Sequence, residues 1–118
     1  MSLGDKAVEM HVPGVNCAQC VLCSAEEYIG IDRETAMKVA SGFGGGMRCG
    51  EVCGCLTGAI IALGLCGKEK LGKSFADTFK EDKGAIRCRT LKRNKVPCNE
   101  LIKYAGDRLE EVLNNGNL

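Results

Sequence analysis

Nine cysteines, Cys17, Cys20, Cys23, Cys49, Cys53, Cys55, Cys66, Cys88 and Cys98, are the residues of this 118-residue chain most able to do chemistry. A thiolate ligates metals and attacks disulfides, whereas a buried thiol behaves as a small hydrophobe. An odd count cannot be fully paired within one chain. The N-terminal residues carry charges and lack the apolar stretch of a secretory signal. That points to a cytoplasmic protein, where stable disulfides are rare. Metal ligation or redox thiol chemistry is therefore the expected use.

Spacing sorts the nine. Each helical residue turns about 100° and rises about 1.5 Å. In a helix opened by Asn16, the apolar stripe is Ala18, Val21, Leu22, Ala25 and Ile29. Cys17 falls on its margin, while Cys20 and Cys23 fall on the polar side with Gln19, Glu26 and Glu27. Cys17 and Cys23 are then about 9 Å apart along the axis, too far for one ion with bonds of about 2.3 Å. Cys53 and Cys55 diverge by about 200° on a helix, so only one should face a shared site.

Cys17, Cys53 and Cys98 each stand at an expected helix start, where the partial positive charge lowers a thiol pKa. Arg87 and Arg89 are expected to do the same for Cys88. These four are the primary candidate metal ligands. Cys20, Cys49 and Cys55 are secondary candidates, and Cys66 reads as a core or helix-end thiol. Gly44, Gly45 and Gly46 are candidate cofactor-binding residues, whose N–H groups are suited to tuning cluster sulfurs. The run follows a helix rather than a strand and lacks the Gly-Lys-Ser/Thr ending of a phosphate loop.

The elements that must position these residues are all helical. Residues 1–14 read as a flexible N-terminal segment and 15–118 as one cysteine-rich domain. Helices are expected from Asn16 to Tyr28, stopped by Gly30, and from Asp32 to Ser41. Three more are expected over Val52–Leu65, Lys70–Lys83 and from Pro97-Cys98 onward. The last should stop at Asn114-Asn115-Gly116-Asn117. The third is apolar nearly all round and should be the central buried helix. Its Gly54, Gly58 and Ala62 make a flat groove for close helix approach, a face that also suits a homodimer. Residues 87–95 read as an irregular basic loop. His11, the sole histidine, lies in the flexible segment and is not expected to be a ligand. The fold class is all-α, a compact bundle of about five helices around a central one.

Composition narrows the function. Lys plus Arg is 16 against 15 for Asp plus Glu, a net charge of +1. That near-balance argues against a dedicated nucleic-acid or membrane-surface binder. Aromatics are 4% with no Trp, leaving few rings on which to stack bases. The longest apolar run, Leu56 to Cys66, falls short of the roughly 20 residues a membrane span needs. The basic stretch from Arg87 to Lys95 suits docking of an acidic redox partner protein.

Several stretches together resemble one family. They are Asn16-Cys17-Ala18-Gln19, Ser41-Gly42-Phe43-Gly44-Gly45-Gly46-Met47 and Cys53-Gly54-Cys55-Leu56-Thr57-Gly58, with Gly64 and the isolated Cys88 and Cys98. The chain is similar over about residues 16–113 to the putative redox-active protein family named for its C-GCAxxG-C-C motif. That kind of domain is shared with the split-Soret cytochromes c. The resemblance implies a small helical domain with a redox or iron–sulfur role. It carries over to Cys17, Cys53, Cys88 and Cys98, and not to Cys20, Cys23, Cys49, Cys55 or Cys66. No Cys-x-x-Cys-His haem attachment motif is present.

The expected function is a cysteine-rich redox protein that binds an iron–sulfur cluster or another metal through thiolates, in electron transfer or redox sensing. Two alternatives stay open. One is a thiol–disulfide oxidoreductase with Cys17 or Cys53 attacking and Cys88 or Cys98 resolving. The other is a structural zinc-binding interaction module.

Overall fold

The computed structural model describes residues 1–115. Among the described residues, eight α-helices run in order: α1 (Leu3–Glu9), α2 (Cys17–Ser24), α3 (Glu26–Ile29), α4 (Arg33–Ala40), α5 (Gly54–Leu65), α6 (Gly72–Lys83), α7 (Cys88–Arg93) and α8 (Cys98–Asn115). No strand is present among the described residues, only an isolated antiparallel bridge between Val52 and Arg87. The architecture is all-α, as the apolar periodicity predicts. The expected stop at Gly116-Asn117 lies outside the described residues.

The helix at the centre is α2, not α5. Every residue from Ala18 to Ser24 is buried. Helices α1, α4, α5 and α8 all pack against it. This overturns the phasing of Cys20 and Cys23, which are fully buried rather than solvent-facing. The apolar stripe marks one face, but small Ala, Cys and Ser side chains on the other faces let neighbours close in all round. By contrast α5 exposes Gly64 and Leu65 and only partly buries Ile60 and Ile61.

A capping box fixes where α2 begins. Asn16 Oδ1 accepts from the Gln19 N–H at 2.9 Å, and Gln19 Oε1 accepts from the Asn16 N–H at 2.8 Å. This reciprocal pair satisfies two otherwise orphaned donors. The same side chains tie α2 to α4: Asn16 Nδ2 donates to Ser41 O and Gln19 Nε2 to Met37 O. The helix expected to reach Tyr28 breaks at Ala25 instead, and a single turn, α3, carries the chain to Gly30 at φ 72°. On the facing side, Gly58 of α5 meets the α2 backbone. A Cβ there would lie 2.6 Å from Ala18 O. The groove of Gly54 and Gly58 is thus filled by α2 of the same chain.

Residues 1–14, expected as a flexible segment outside the domain, instead contribute α1, which packs on α8. Leu3, Gly4 and Ala7 are buried. The Leu3 N–H donates to Glu110 Oε1 and the Gly4 N–H to Asp107 Oδ1, so α8 carboxylates cap the open N-terminus of α1. Gly4 and Gly106 let the two backbones touch: a Cβ on Gly106 would lie 2.7 Å from the Gly4 Cα. A seven-residue helix is marginal alone; Ser2 caps this one locally, its Oγ accepting from the Asp5 N–H, and contacts with α8 hold it.

The segment from Arg87 to Lys95, expected as irregular, forms α7 over Cys88–Arg93. It is set by backbone pairing with residues 51–53: the Cys53 N–H donates to Ile86 O and the Cys88 N–H to Glu51 O. That pairing draws the start of α5 and the start of α7 together.

Candidate functional site

Five cysteines line one cavity of about 200 Å³ at the end of the bundle where α2, α5, α7 and α8 all begin: Cys17, Cys53, Cys55, Cys88 and Cys98. Leu91, Val96 and Leu101 give it apolar wall. Asn16, Gly45 and Lys92 lie at its border with solvent-facing depressions. All four primary candidates therefore share one space, and the secondary candidate Cys55 joins them.

Cys55 was expected to diverge from Cys53. It does not, because Cys53 is outside the helix. As the residue preceding α5 it has φ −52° and ψ 133°, an extended geometry to which the 100° turn does not apply. Cys53 and Cys55 both reach the cavity. The secondary candidates Cys20 and Cys49 stand apart. Cys20 lies within the core around α2. Cys49 is exposed, its thiol donating to Gly46 O at 3.6 Å. Cys66 sits at the C-terminal end of α5 with its thiol on Tyr28 O at 3.3 Å.

The thiols differ sharply in acidity. The Cys55 thiol hydrogen-bonds Cys17 and, against the cost of burial, brings it down to about 6. N–H groups of Gly45 and Ala18 add to the effect. The same Cys55 thiol lowers Cys53. Cys55 itself is held well above the usual thiol range, first by donating to Cys17 and Cys53 and then by burial. The Cys55 thiol thus serves both flanking sulfurs, while the charge of Cys17 works against that of Cys53.

Cys88 and Cys98 depart from expectation. Both are raised, mainly by burial and also by the neighbouring sulfur charges, with Lys92 opposing. The helix start does not prevail at Cys98. The arginines flanking Cys88 turn to Glu51 instead, Arg87 at 3.2 Å and Arg89 at 3.8 Å.

The glycine run divides its work. Gly45 (φ 64°) is the residue that borders the cavity and donates to Cys17. Gly44 and Gly46 are packing positions: a Cβ on Gly44 would meet the Asn16 side chain, and one on Gly46 would lie 2.7 Å from Cys88 Cβ. Gly54 plays a similar part beside Cys17, where a Cβ would lie 2.5 Å from Sγ.

Sequence reading missed His11. It borders the cavity, and its Nδ1 donates to Asn99 Oδ1 at 2.7 Å, joining the segment after α1 to the start of α8. Its place follows from the docking of α1 on α8.

Among the described residues, no three His, Cys, Asp or Glu side chains converge as a ready-made set for a single metal ion. Nor is any helix among them long and apolar enough to cross a membrane. No similar curated protein and no similar solved structure is found for the chain. A family model does match residues 15–112, with the description "Putative redox-active protein (C_GCAxxG_C_C)". Spanning most of the chain and all five cavity cysteines, that match makes this protein a member of the C_GCAxxG_C_C family.

Proposed function

We propose that the cavity holds an iron–sulfur cluster through Cys17, Cys53, Cys88 and Cys98, and that the protein passes electrons to and from a partner. The observation that carries this reading is five cysteines from four separate chain segments around one cavity of about 200 Å³. The donor set is of the right kind, since thiolates hold such clusters. Four thiolates also satisfy a zinc ion, which the metal analysis below separates from the cluster. When bound, the cluster supplies one-electron chemistry. The chain's part is to orient the thiolates, to donate N–H from Gly45 to Cys17, and to keep the site largely apolar.

Anaerobic purification, a visible spectrum, and iron, sulfide and zinc analysis test the reading. Brown protein with stoichiometric iron and sulfide is expected. Cys53→Ser and Cys98→Ser should lower bound iron sharply, while Cys66→Ser leaves it unchanged. Colourless protein with one zinc would overturn it.

The contact of Cys55 with both Cys17 and Cys53 favours a second reading. There, Cys55 and one neighbour form a disulfide, giving two electrons and two protons to a disulfide substrate that leaves as two thiols. Protein that takes up no iron or sulfide on reconstitution, yet loses two thiols together on mild oxidation, would support this reading over the cluster.

A further inference from the structure

The exposed cations of this protein are not evenly paired. Arg48, Lys92, Arg93 and Lys95 are all exposed and make no ion pair among the described residues. Arg48 and Lys92 line one depression of about 460 Å³ together with Ser41 and Gly45, and Lys92 also lines the cysteine cavity. Arg93 and Lys95 follow Lys92 at the end of α7 and just beyond. In a chain of net charge +1, this is a local excess at the mouth of the site.

Arg48 is held there by an unusual backbone. Gly45, Gly46, Met47 and Arg48 are all left-handed, with φ of 64°, 67°, 61° and 62°. That conformation costs an ordinary residue about 1–2 kcal/mol, and here two non-glycine residues adopt it in succession. Such strain gathers where a segment is held for a purpose.

The other polar groups of the depression are already engaged. Ser41 Oγ donates to Lys38 O, Asn16 Nδ2 to Ser41 O, and the Gly45 N–H to Cys17 Sγ. What remains free are the N–H donors of the Arg48 guanidinium and the Lys92 ammonium, which pair with carboxylates. With Arg93 and Lys95 beside them they spread along the mouth of the site, which suits the carboxylates of an acidic protein surface better than one small anion. Gly45 also gives the route. It is exposed, has no side chain, and is one hydrogen bond from a cavity sulfur.

We infer that the face formed by Gly45, Arg48 and Lys92 is the docking surface for an acidic electron-transfer protein, with Gly45 the point of closest approach to the redox centre. The inference rests on the redox reading above. Transient redox complexes bury little surface and depend on electrostatic steering.

Two measurements test it. The first is the rate at which the reduced holoprotein gives one electron to anionic hexacyanoferrate(III), making hexacyanoferrate(II), compared with cationic hexaammineruthenium(III). The anionic rate should fall about tenfold between about 10 mM and 0.5 M salt, and the cationic rate should not. Arg48→Asn, which tolerates left-handed backbone, combined with Lys92→Glu should abolish the fall. Lys80→Glu on α6, which contributes nothing to either cavity, should keep it. Equal salt dependence for both reagents, or an equal response to Lys80→Glu, would overturn the inference.

The second is calorimetric binding of poly-glutamate, which needs no redox centre. The double variant should weaken it about tenfold and Lys80→Glu hardly at all. Unchanged binding in the double variant would overturn the surface, as would tighter binding of a single-stranded oligonucleotide at the same salt. A protein without any reducible centre fails the redox reading instead, and the calorimetry then decides the surface alone.

Discussion

Two cysteines one helical turn apart in α2 have opposite fates. Cys17, at the first position, is brought to about 6 by the Cys55 thiol and the Gly45 N–H. Cys20 is fully buried and pushed up to about 12, first by burial and then by the charges of Cys17 and Cys23. The difference is a matter of neighbours. Cys17 faces a cavity furnished with donors, and Cys20 faces side chains that offer none. Cysteine richness in this protein therefore divides into a reactive end and a packing interior on the same helix.

Alkylation of the reduced, metal-free protein is the severest test of that division. Cys17, brought to about 6, should be mainly thiolate at pH 7, and Cys20, pushed up to about 12, should stay a thiol. With iodoacetamide and mass spectrometry by residue, Cys17 should react more than a thousandfold faster than Cys20. Comparable rates in the folded protein would break the comparison. Stability should follow the same split. Cys17, lowered from 9.0, adds stability that is complete above about pH 9 and is lost as pH falls through about 6. Cys53 adds to this rising limb. Cys20, raised, adds stability that is complete below about pH 9 and is lost as pH rises toward 12. Denaturant midpoints should therefore climb from pH 6 to 9, and Cys17→Ser should flatten that climb.

The next largest effect separates two glycines of α5, one pressed on α2 and one free of it. Gly58→Ala forces a Cβ to within 2.6 Å of Ala18 O, backbone against backbone. A loss of about 1–3 kcal/mol is expected from such overpacking, read from chemical denaturation. Gly64→Ala, in the same helix, meets nothing within 4 Å and should gain up to about 1 kcal/mol from helix propensity. Equal effects at the two positions would mean that α5 does not press on α2 as described.

Much of this was legible in the sequence, and the failures share a cause. Asn16 and Gln19 announce the start of α2, Asp32 the start of α4, and Gly84 the end of α6, because caps are local. Cys17, Cys53 and Cys98 stand at expected helix starts, whereas Cys88 reads as part of an irregular loop and in the structure opens α7. What stayed hidden depends on distant contacts. α1 has a local cap in Ser2, whose Oγ accepts from the Asp5 N–H, but its docking depends on Asp107 and Glu110 of α8. Cys20 and Cys23 are buried because four helices close around α2. Cys55 joins the cavity because the Val52–Arg87 bridge holds the preceding backbone extended.

A smaller and more local change probes the donor. Cys55→Ala removes the thiol that lowers both Cys17 and Cys53. The Cys17 titration, followed by thiolate absorbance or alkylation rate, should move up by about one pH unit, a change of about 1.4 kcal/mol. Cys55→Ser retains a donor and should move it less. No shift in Cys55→Ala would assign the acidity of Cys17 to the backbone alone.

The smallest expected effect decides between the two explanations of that acidity. The sequence pointed to the helix start, and Cys17 does occupy it. Yet Cys98 also opens a helix and is raised, so the helix start by itself does not set a thiol's acidity here. Asn16→Ala removes the capping box and leaves Cys55 and Gly45 in place. It should cost about 1 kcal/mol of stability while the Cys17 titration stays near 6. A large upward shift with the cap removed would return the effect to the helix terminus. An unmoved titration, set against the shift in Cys55→Ala, would show that a neighbouring thiol distinguishes the reactive end of α2 from its interior.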